Sequence, residues 1–189
     1  MSTSQKQALR ELMKEKRRTL FQQHPESGKK IADLFFSFFD FPLQTVIGAY
    51  WPIGSELDVR PLLHRLKDKG FPCALPCITP EGLLFREWTP SLIHVKGSFQ
   101  LMEPPITSPL ITPDVLLVPL LAFDKECHRL GYGKGHYDHY LRHHSPLTIG
   151  VGFKEQGVEK IPHEAHDIAL DFMLTEDGVF KGSYPPKAS

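Results

Sequence analysis

Apolar side chains at Leu9, Leu12, Met13 and Leu20 form one stripe, while Lys6, Arg10 and Lys14 recur every four residues on another side; together they predict an amphipathic helix over residues 4–23. Residues 29–39 carry Ile31, Leu34, Phe35, Phe38 and Phe39, a density that predicts a second helix buried on more than one side against a sheet. The run TVIGAY at residues 45–50 then predicts a short strand. Ser55, with Asp58 three residues on, reads as the N-cap of a helix continuing to about Lys69. Residues 71–78 and 83–88 flank Thr79-Pro80-Glu81-Gly82 and read as a hairpin. Residues 89–113, rich in Pro, Ser and Thr, read as an irregular surface connection and not as a linker between domains. Beyond them, DVLLVP at residues 114–119 has the continuous apolar character of a parallel strand covered on both faces. A helix over residues 135–144, a buried strand over 147–151 and a short last strand over 170–174 complete the pattern. It predicts a three-layer α/β/α fold, with an open, mostly parallel but mixed sheet and helices on both faces, in one domain spanning residues 1–189.

Charge narrows the partners. Lys plus Arg and Asp plus Glu are both 22, so no long-range field draws the whole chain to nucleic acid or to an anionic membrane. The distribution is uneven, however: residues 1–30 hold 8 basic and 3 acidic side chains, and residues 154–178 hold 2 basic and 7 acidic. A fold that brings these ends to one cleft can hold a polyphosphate together with its metal. Three cysteines, Cys73, Cys77 and Cys127, are an odd number without metal-type pairing, and no secretory leader or membrane-length apolar run is present; the expectation is a cytoplasmic protein without a membrane role. Cys73 and Cys77 share a strand face and read as packing residues.

The candidate chemistry lies in residues 129–138, RLGYGKGHYD. Glycines at 131, 133 and 135 permit positive φ and close backbone approach between a buried strand and a helix start, the geometry of a phosphate cradle. Arg129 and Lys134 can meet phosphate oxygens, and Asp138, in the first helical turn, can hold magnesium directly or through water. No Ser or Thr follows the lysine, as a Walker A sequence requires, and the spacing is not that of a dinucleotide fold. A position at the carboxyl end of a central strand, where open α/β sheets bind ligands, favours function over a simple turn. On these residues alone, an enzyme binding a sugar phosphate or an acyl-transfer substrate without cleaving ATP is an alternative. A nucleic-acid-binding module using the basic first helix is another, opposed by zero net charge and the lack of a nucleic-acid motif. His136, His139, His143 and His144 stand at helical spacings but lack the H-E-x-x-H arrangement of a zinc hydrolase, and they read as a solvated helix face.

The run PLLAFD at residues 119–124 followed by RLGYGKGHYD resembles the signature of the 5-formyltetrahydrofolate cyclo-ligases, also called methenyltetrahydrofolate synthetases. Lys6-x-x-x-Arg10 is similar to that family's basic amino-terminal helix, Trp51-Pro52 to Glu56 to its folate-contacting segment, and GFKEQ at 152–156 with residues 162–171 to its acidic carboxyl-terminal block. Two positions depart from the pattern: His136 stands where the family has Tyr or Phe, and Leu120 where many members have Gly. The resemblance implies closure of 5-formyltetrahydrofolate (folinate) to 5,10-methenyltetrahydrofolate with ATP as co-substrate and Mg2+, by a monomer. It implies Lys6, Arg10, Arg129 and Lys134 on the ATP phosphates. The segment Gly131, Tyr132, Gly133, Lys134, Gly135, His136 and Tyr137 would cradle the nucleotide, and Asp138 and Asp167 would hold magnesium. Trp51 would stack on the folate rings, Glu56 would accept from their donor edge, and Tyr137 would close the pocket. Arg129, Lys134 and Tyr137 are the residues expected at the reacting atoms. Without the resemblance, Trp51 reads as a core aromatic, Glu56 as a helix-start acid, and Asp167 and Asp171 as loop and strand-edge carboxylates.

Overall fold

The computed structural model describes residues 3–92, 95–96, 102–164 and 167–182. Parts of the Pro/Ser/Thr-rich connection and of the 162–171 block lie outside these. Helix α1 (Thr3–Gln23) is followed by α2 (Ser27–Phe38), strand β1 (Ile47–Gly48), α3 (Arg60–Asp68) and the strands β2 (Cys73–Thr79) and β3 (Gly82–Trp88). Next come β4 (Val95–Lys96), β5 (Met102–Glu103), β6 (Val115–Pro119), β7 (Ala122–Phe123) and β8 (Arg129–Leu130). Helix α4 (His136–His143), β9 (Leu147–Val151), β10 (Phe172–Thr175) and β11 (Gly178–Lys181) complete the order.

Seven strands form the main sheet in the order β11-β10-β9-β6-β1-β2-β3, which puts β6 at its centre. β2, β1, β6, β9 and β10 run parallel, and antiparallel β3 and β11 close the two edges. The sheet is therefore mixed but mostly parallel. Its inner strands are almost wholly buried, as parallel strands between two helical layers must be. One face meets α2 and α3, where Ile31, Phe35, Leu62, Leu63 and Leu66 pack on Ile47, Leu75, Val115, Leu117 and Ile149. The opposite face meets α4, whose Tyr140 and Leu141 pack with Phe85, Leu116, Val118 and Met173. α1 lies across the carboxyl end of β6: Met13 packs with Leu121, Ala122 and Leu130.

Several local expectations change. On α1 the buried face is Met13, Arg17 and Leu20, whereas Leu12 is 65% exposed. α2 buries one side only, with Phe38 54% exposed, and Phe35, Phe39, Phe41 and Phe172 form an aromatic cluster beside it. Ser55 does not cap a helix. The helix begins at Arg60 because Asp58 accepts the Arg60 amide at 2.9 Å and Pro61, which has no N–H to satisfy, occupies the first turn. Residues 51–58 are thereby left as an irregular loop at the sheet's carboxyl edge.

The glycine segment does not follow β6 directly. The two-residue strands β7 and β8 intervene as a small antiparallel hairpin, too short to carry a period in the sequence. Buried Asp124 closes it, accepting the amides of Glu126 and His128 at 3.0 Å and that of Ile161 at 2.9 Å. The Leu121 amide donates to the Leu130 carbonyl at 2.8 Å, so the chain returns to the end of β6 before the glycines begin. Buried Gln156 fixes the same junction by donating to the carbonyls of Leu120 and Leu121. Leu120 itself lies against Gly150 and Gly152, which leave room for it. The connection read as irregular contains the β4–β5 ladder, and β11 adds an edge strand beyond the last one expected. No helix among the described residues is long and apolar enough to cross a membrane.

Candidate active site

Two cavities meet at the glycine segment. The smaller, about 200 Å³, is polar; Lys6, Arg10, Arg129 and Arg142 line it together with Asp138 and Asp167. The larger, about 720 Å³, is mainly apolar, with Tyr50, Trp51, Ile53, Leu83, Met102 and Tyr137 in its wall. Arg129, Gly131, Gly135 and Asp138 line both, so the loop is their common partition.

The smaller cavity is built from the two ends of the chain. α1 supplies Lys6 and Arg10 one turn apart; Lys6 pairs with Asp167 at 3.5 Å, and Arg10 Nε donates to the Gly131 carbonyl at 3.0 Å. The charge asymmetry of the sequence is thus realised as one cleft. β8 delivers Arg129, whose buried guanidinium donates to Asp138 Oδ1 at 2.7 Å and to the Ile168 carbonyl at 2.9 Å. Gly133 and Gly135 adopt φ of +92° and +68°, which side chains with a Cβ rarely take, and Arg10 fills the space beside Gly133. His128 and His163 stack at 3.6 Å as a flat wall of the same cavity. Four cations around a glycine turn at a helix start make a site for a polyanion. Asp138 and Asp167 are two carboxylates in one polar cavity, the oxygen donors there that could hold a hard cation, and each is paired with a cation, Arg129 and Lys6 respectively. Among the described residues, no group of three or more His, Cys, Asp or Glu side chains is gathered as a self-sufficient metal site.

The larger cavity has an apolar body and one buried acid. Glu56 is 4% exposed and accepts the Tyr132 hydroxyl at 2.8 Å and the Ile53 amide at 2.9 Å. Burial raises its carboxyl above the ordinary glutamate range, opposed by those two hydrogen bonds and by the charge of Arg17. Tyr50 donates to the Leu57 carbonyl at 2.7 Å and so anchors the 51–58 loop, and burial raises its phenol. Tyr137 lines the wall, its phenol raised first by burial and then by Glu56. Trp51 is half-buried, 6.3 Å from Trp88, with the Arg60 guanidinium 5.8 Å from its ring.

Lys6, Arg10, Arg129, Gly131, Gly133, Gly135, Asp138 and Asp167 therefore come together at the polar cavity. Trp51, Glu56, Tyr132, Lys134, His136 and Tyr137 come together at the apolar one. Lys134 is exposed and does not line the polar cavity, so it stands on the other side of the partition from Lys6 and Arg10. His136 Nε2 is buried without a hydrogen-bond partner. Asp171 is a strand-pinning residue, accepting the Thr148 amide and hydroxyl, each at 2.8 Å.

Two residues escaped the sequence reading. Arg17 is 5% exposed; it donates to Ser55 Oγ at 3.2 Å and the Leu120 carbonyl at 3.3 Å, and its guanidinium lies 5.4 Å from the Tyr132 ring centroid. Its signal was a basic residue in phase with Met13 and Leu20, where an apolar one belongs. Arg142 follows Asp138 by four residues on α4 and so shares its face.

The chain is similar to known proteins in sequence and in fold. The model of the 5-formyltetrahydrofolate cyclo-ligase family matches residues 2–176. A 5-formyltetrahydrofolate cyclo-ligase of Escherichia coli (strain K12) is 30% identical over 181 residues, covering 90% of this chain and 100% of the relative. One from Mycolicibacterium smegmatis is 32% identical over 188 residues, covering 93% and 95%. The NMR structure of Aquifex aeolicus 5,10-methenyltetrahydrofolate synthetase superposes with a TM-score of 0.83 at 29% identity, covering 97% of this chain and 96% of the other.

Proposed function

The chain belongs to the 5-formyltetrahydrofolate cyclo-ligase family, and from that premise we propose that it closes 5-formyltetrahydrofolate to 5,10-methenyltetrahydrofolate with conversion of ATP to ADP and phosphate. The observation that carries this reading is the glycine partition. It separates a small cationic cavity suited to a triphosphate from a large apolar one, holding a buried carboxylate, suited to a flat bicyclic ring with N–H donors.

The reaction has a leaving-group problem. A formyl amide carbon is a poor electrophile, and its oxygen cannot leave as oxide at neutral pH. Transfer of the γ-phosphoryl group to the formyl oxygen yields an iminophosphate; the position-10 nitrogen then adds to the same carbon and loses its proton, and the C–O bond breaks with departure of phosphate. The protein's contribution to such a transfer is positioning and charge neutralisation. Lys6, Arg10 and Arg142 bind the phosphates from the α1 and α4 sides. Arg129, on the partition, faces both substrates, and Lys134 approaches the transferring group from the folate side. Asp138 and Asp167 would hold magnesium, which supplies further neutralisation of the triphosphate charge. Glu56 orients the pterin through its donor edge, Trp51 offers a stacking face, and Tyr137 closes the apolar wall against water. The three cysteines, free and buried, accord with a reducing cytoplasm.

The test mixes purified protein with 5-formyltetrahydrofolate, magnesium and ATP and follows the near-ultraviolet absorbance of the methenyl product. Product that appears only with ATP supports the reading; folded protein that binds ATP and yields no product overturns it.

A further inference from the structure

Tyr132 belongs to the glycine loop, but its side chain lies in the other cavity. Its hydroxyl reaches Glu56 Oε1 at 2.8 Å, while the second carboxylate oxygen accepts the Ile53 amide at 2.9 Å. Glu56 is 4% exposed, so Tyr132 occupies an acceptor that solvent hardly reaches. Tyr132 itself is 42% exposed, and there is open space beside the loop, since a Cβ at Gly131 or Gly135 would meet nothing within 4 Å. Side-chain hydrogen bonds hold the loop on both sides, among them Arg10 to the Gly131 carbonyl on the polar side and Tyr132 to Glu56 on the apolar side.

We propose that Tyr132 is a latch that occupies Glu56 while the folate cavity is empty, is displaced by the donor edge of the pterin, and thereby couples folate binding to closure of the glycine loop on the triphosphate. The inference rests on the folate reading of the larger cavity. Its physical basis is competition: a pterin N–H can use the Tyr132-facing oxygen of Glu56 only by displacing or crowding the hydroxyl already there. Release of Tyr132 removes the bond to Glu56 on the apolar side, and on the polar side Arg10 is placed to exchange the Gly131 carbonyl for a phosphate oxygen. Each substrate then removes a restraint that the other would otherwise have to break, and linkage requires the advantage to be mutual. Tyr132 acts in this through Glu56 and the loop, as a positioning residue.

The test is Tyr132→Phe, which keeps the ring and deletes the hydroxyl. Binding of 5-formyltetrahydrofolate without nucleotide, and of a non-hydrolysable magnesium–ATP analogue with and without the folate, is measured by calorimetry for both proteins. The hydrogen bond to a buried carboxylate predicts folate binding on the order of tenfold tighter in the variant. In the wild type the folate tightens analogue binding, and in Tyr132→Phe that ratio falls toward one. Unchanged or weaker folate binding by the variant, or an equal ratio in the two proteins, overturns the latch alone when both still make methenyl product. Failure of both to bind folate and make product overturns the folate reading, and the latch with it.

Discussion

At the scale of single residues, the site turns on Glu56. Replacing it with Gln keeps the shape and removes the anionic acceptor. A hydrogen bond to a charged group contributes roughly 1.5–3 kcal/mol, so the KM for 5-formyltetrahydrofolate is expected to rise on the order of tenfold or more, with the KM for ATP little changed. The raised pKa of Glu56 gives two opposite pH trends. Because the folded-state pKa lies above the unfolded one, the group's contribution to stability is fully present below the unfolded pKa and is lost as pH rises through the folded one. If Glu56 holds the folate edge as proposed, binding needs the carboxylate, so kcat/KM for folate rises with pH through that same folded pKa. Thermal unfolding and initial rates across pH, on wild type and Glu56→Gln, should show both trends in the first and neither in the second. Glu56 and Trp51 were singled out because the segment resembles a known pattern, and both line the apolar cavity. Arg17 was not, since a cation among apolar neighbours looks like an interruption until the fold shows it beside Tyr132 and Ser55.

At the scale of elements, the glycine loop is positioned by a hairpin that the sequence reading passed over. Strands of two residues are too short to display alternation, so only the bonds to Asp124 reveal why the chain turns back to the end of β6. Asp124→Ala leaves the Glu126, His128 and Ile161 amides without that acceptor and is expected to cost about 3 kcal/mol in urea unfolding, with loss of activity because β8 carries Arg129. Gly133→Ala acts differently: φ is +92° and the added Cβ would press on the Arg10 guanidinium at 3.3 Å. It should strain the loop by about 1–2 kcal/mol and raise the KM for ATP several-fold more than that for folate. α3 illustrates the limit of cap rules. Ser55 has the right spacing, yet Pro61 and Asp58 set the start, and the freed residues 51–58 become a loop beside the apolar cavity.

At the scale of the whole molecule, the layered arrangement was legible because continuous apolar runs at β6 and β9 demand cover on both faces. The edge strands were less so: β11 follows a tight turn and is only partly buried, so its period is weak. Neither could the sequence show that the basic amino end and the acidic carboxyl-terminal block would meet, which they do at Lys6 and Asp167. That meeting predicts that Lys6→Ala raises the KM for ATP while leaving the folate KM and the unfolding midpoint nearly unchanged, since the pair is partly exposed and contributes little to stability. The central claim is that one partition joins a triphosphate site to a folate site, making cleavage of one substrate depend on the presence of the other. The most direct measurement follows phosphate release and methenyl absorbance together, with and without 5-formyltetrahydrofolate. One phosphate per methenyl formed, with negligible ATP cleavage when folate is absent, is the predicted result; ATP cleavage at the same rate without folate, or methenyl formation without ATP, would contradict it.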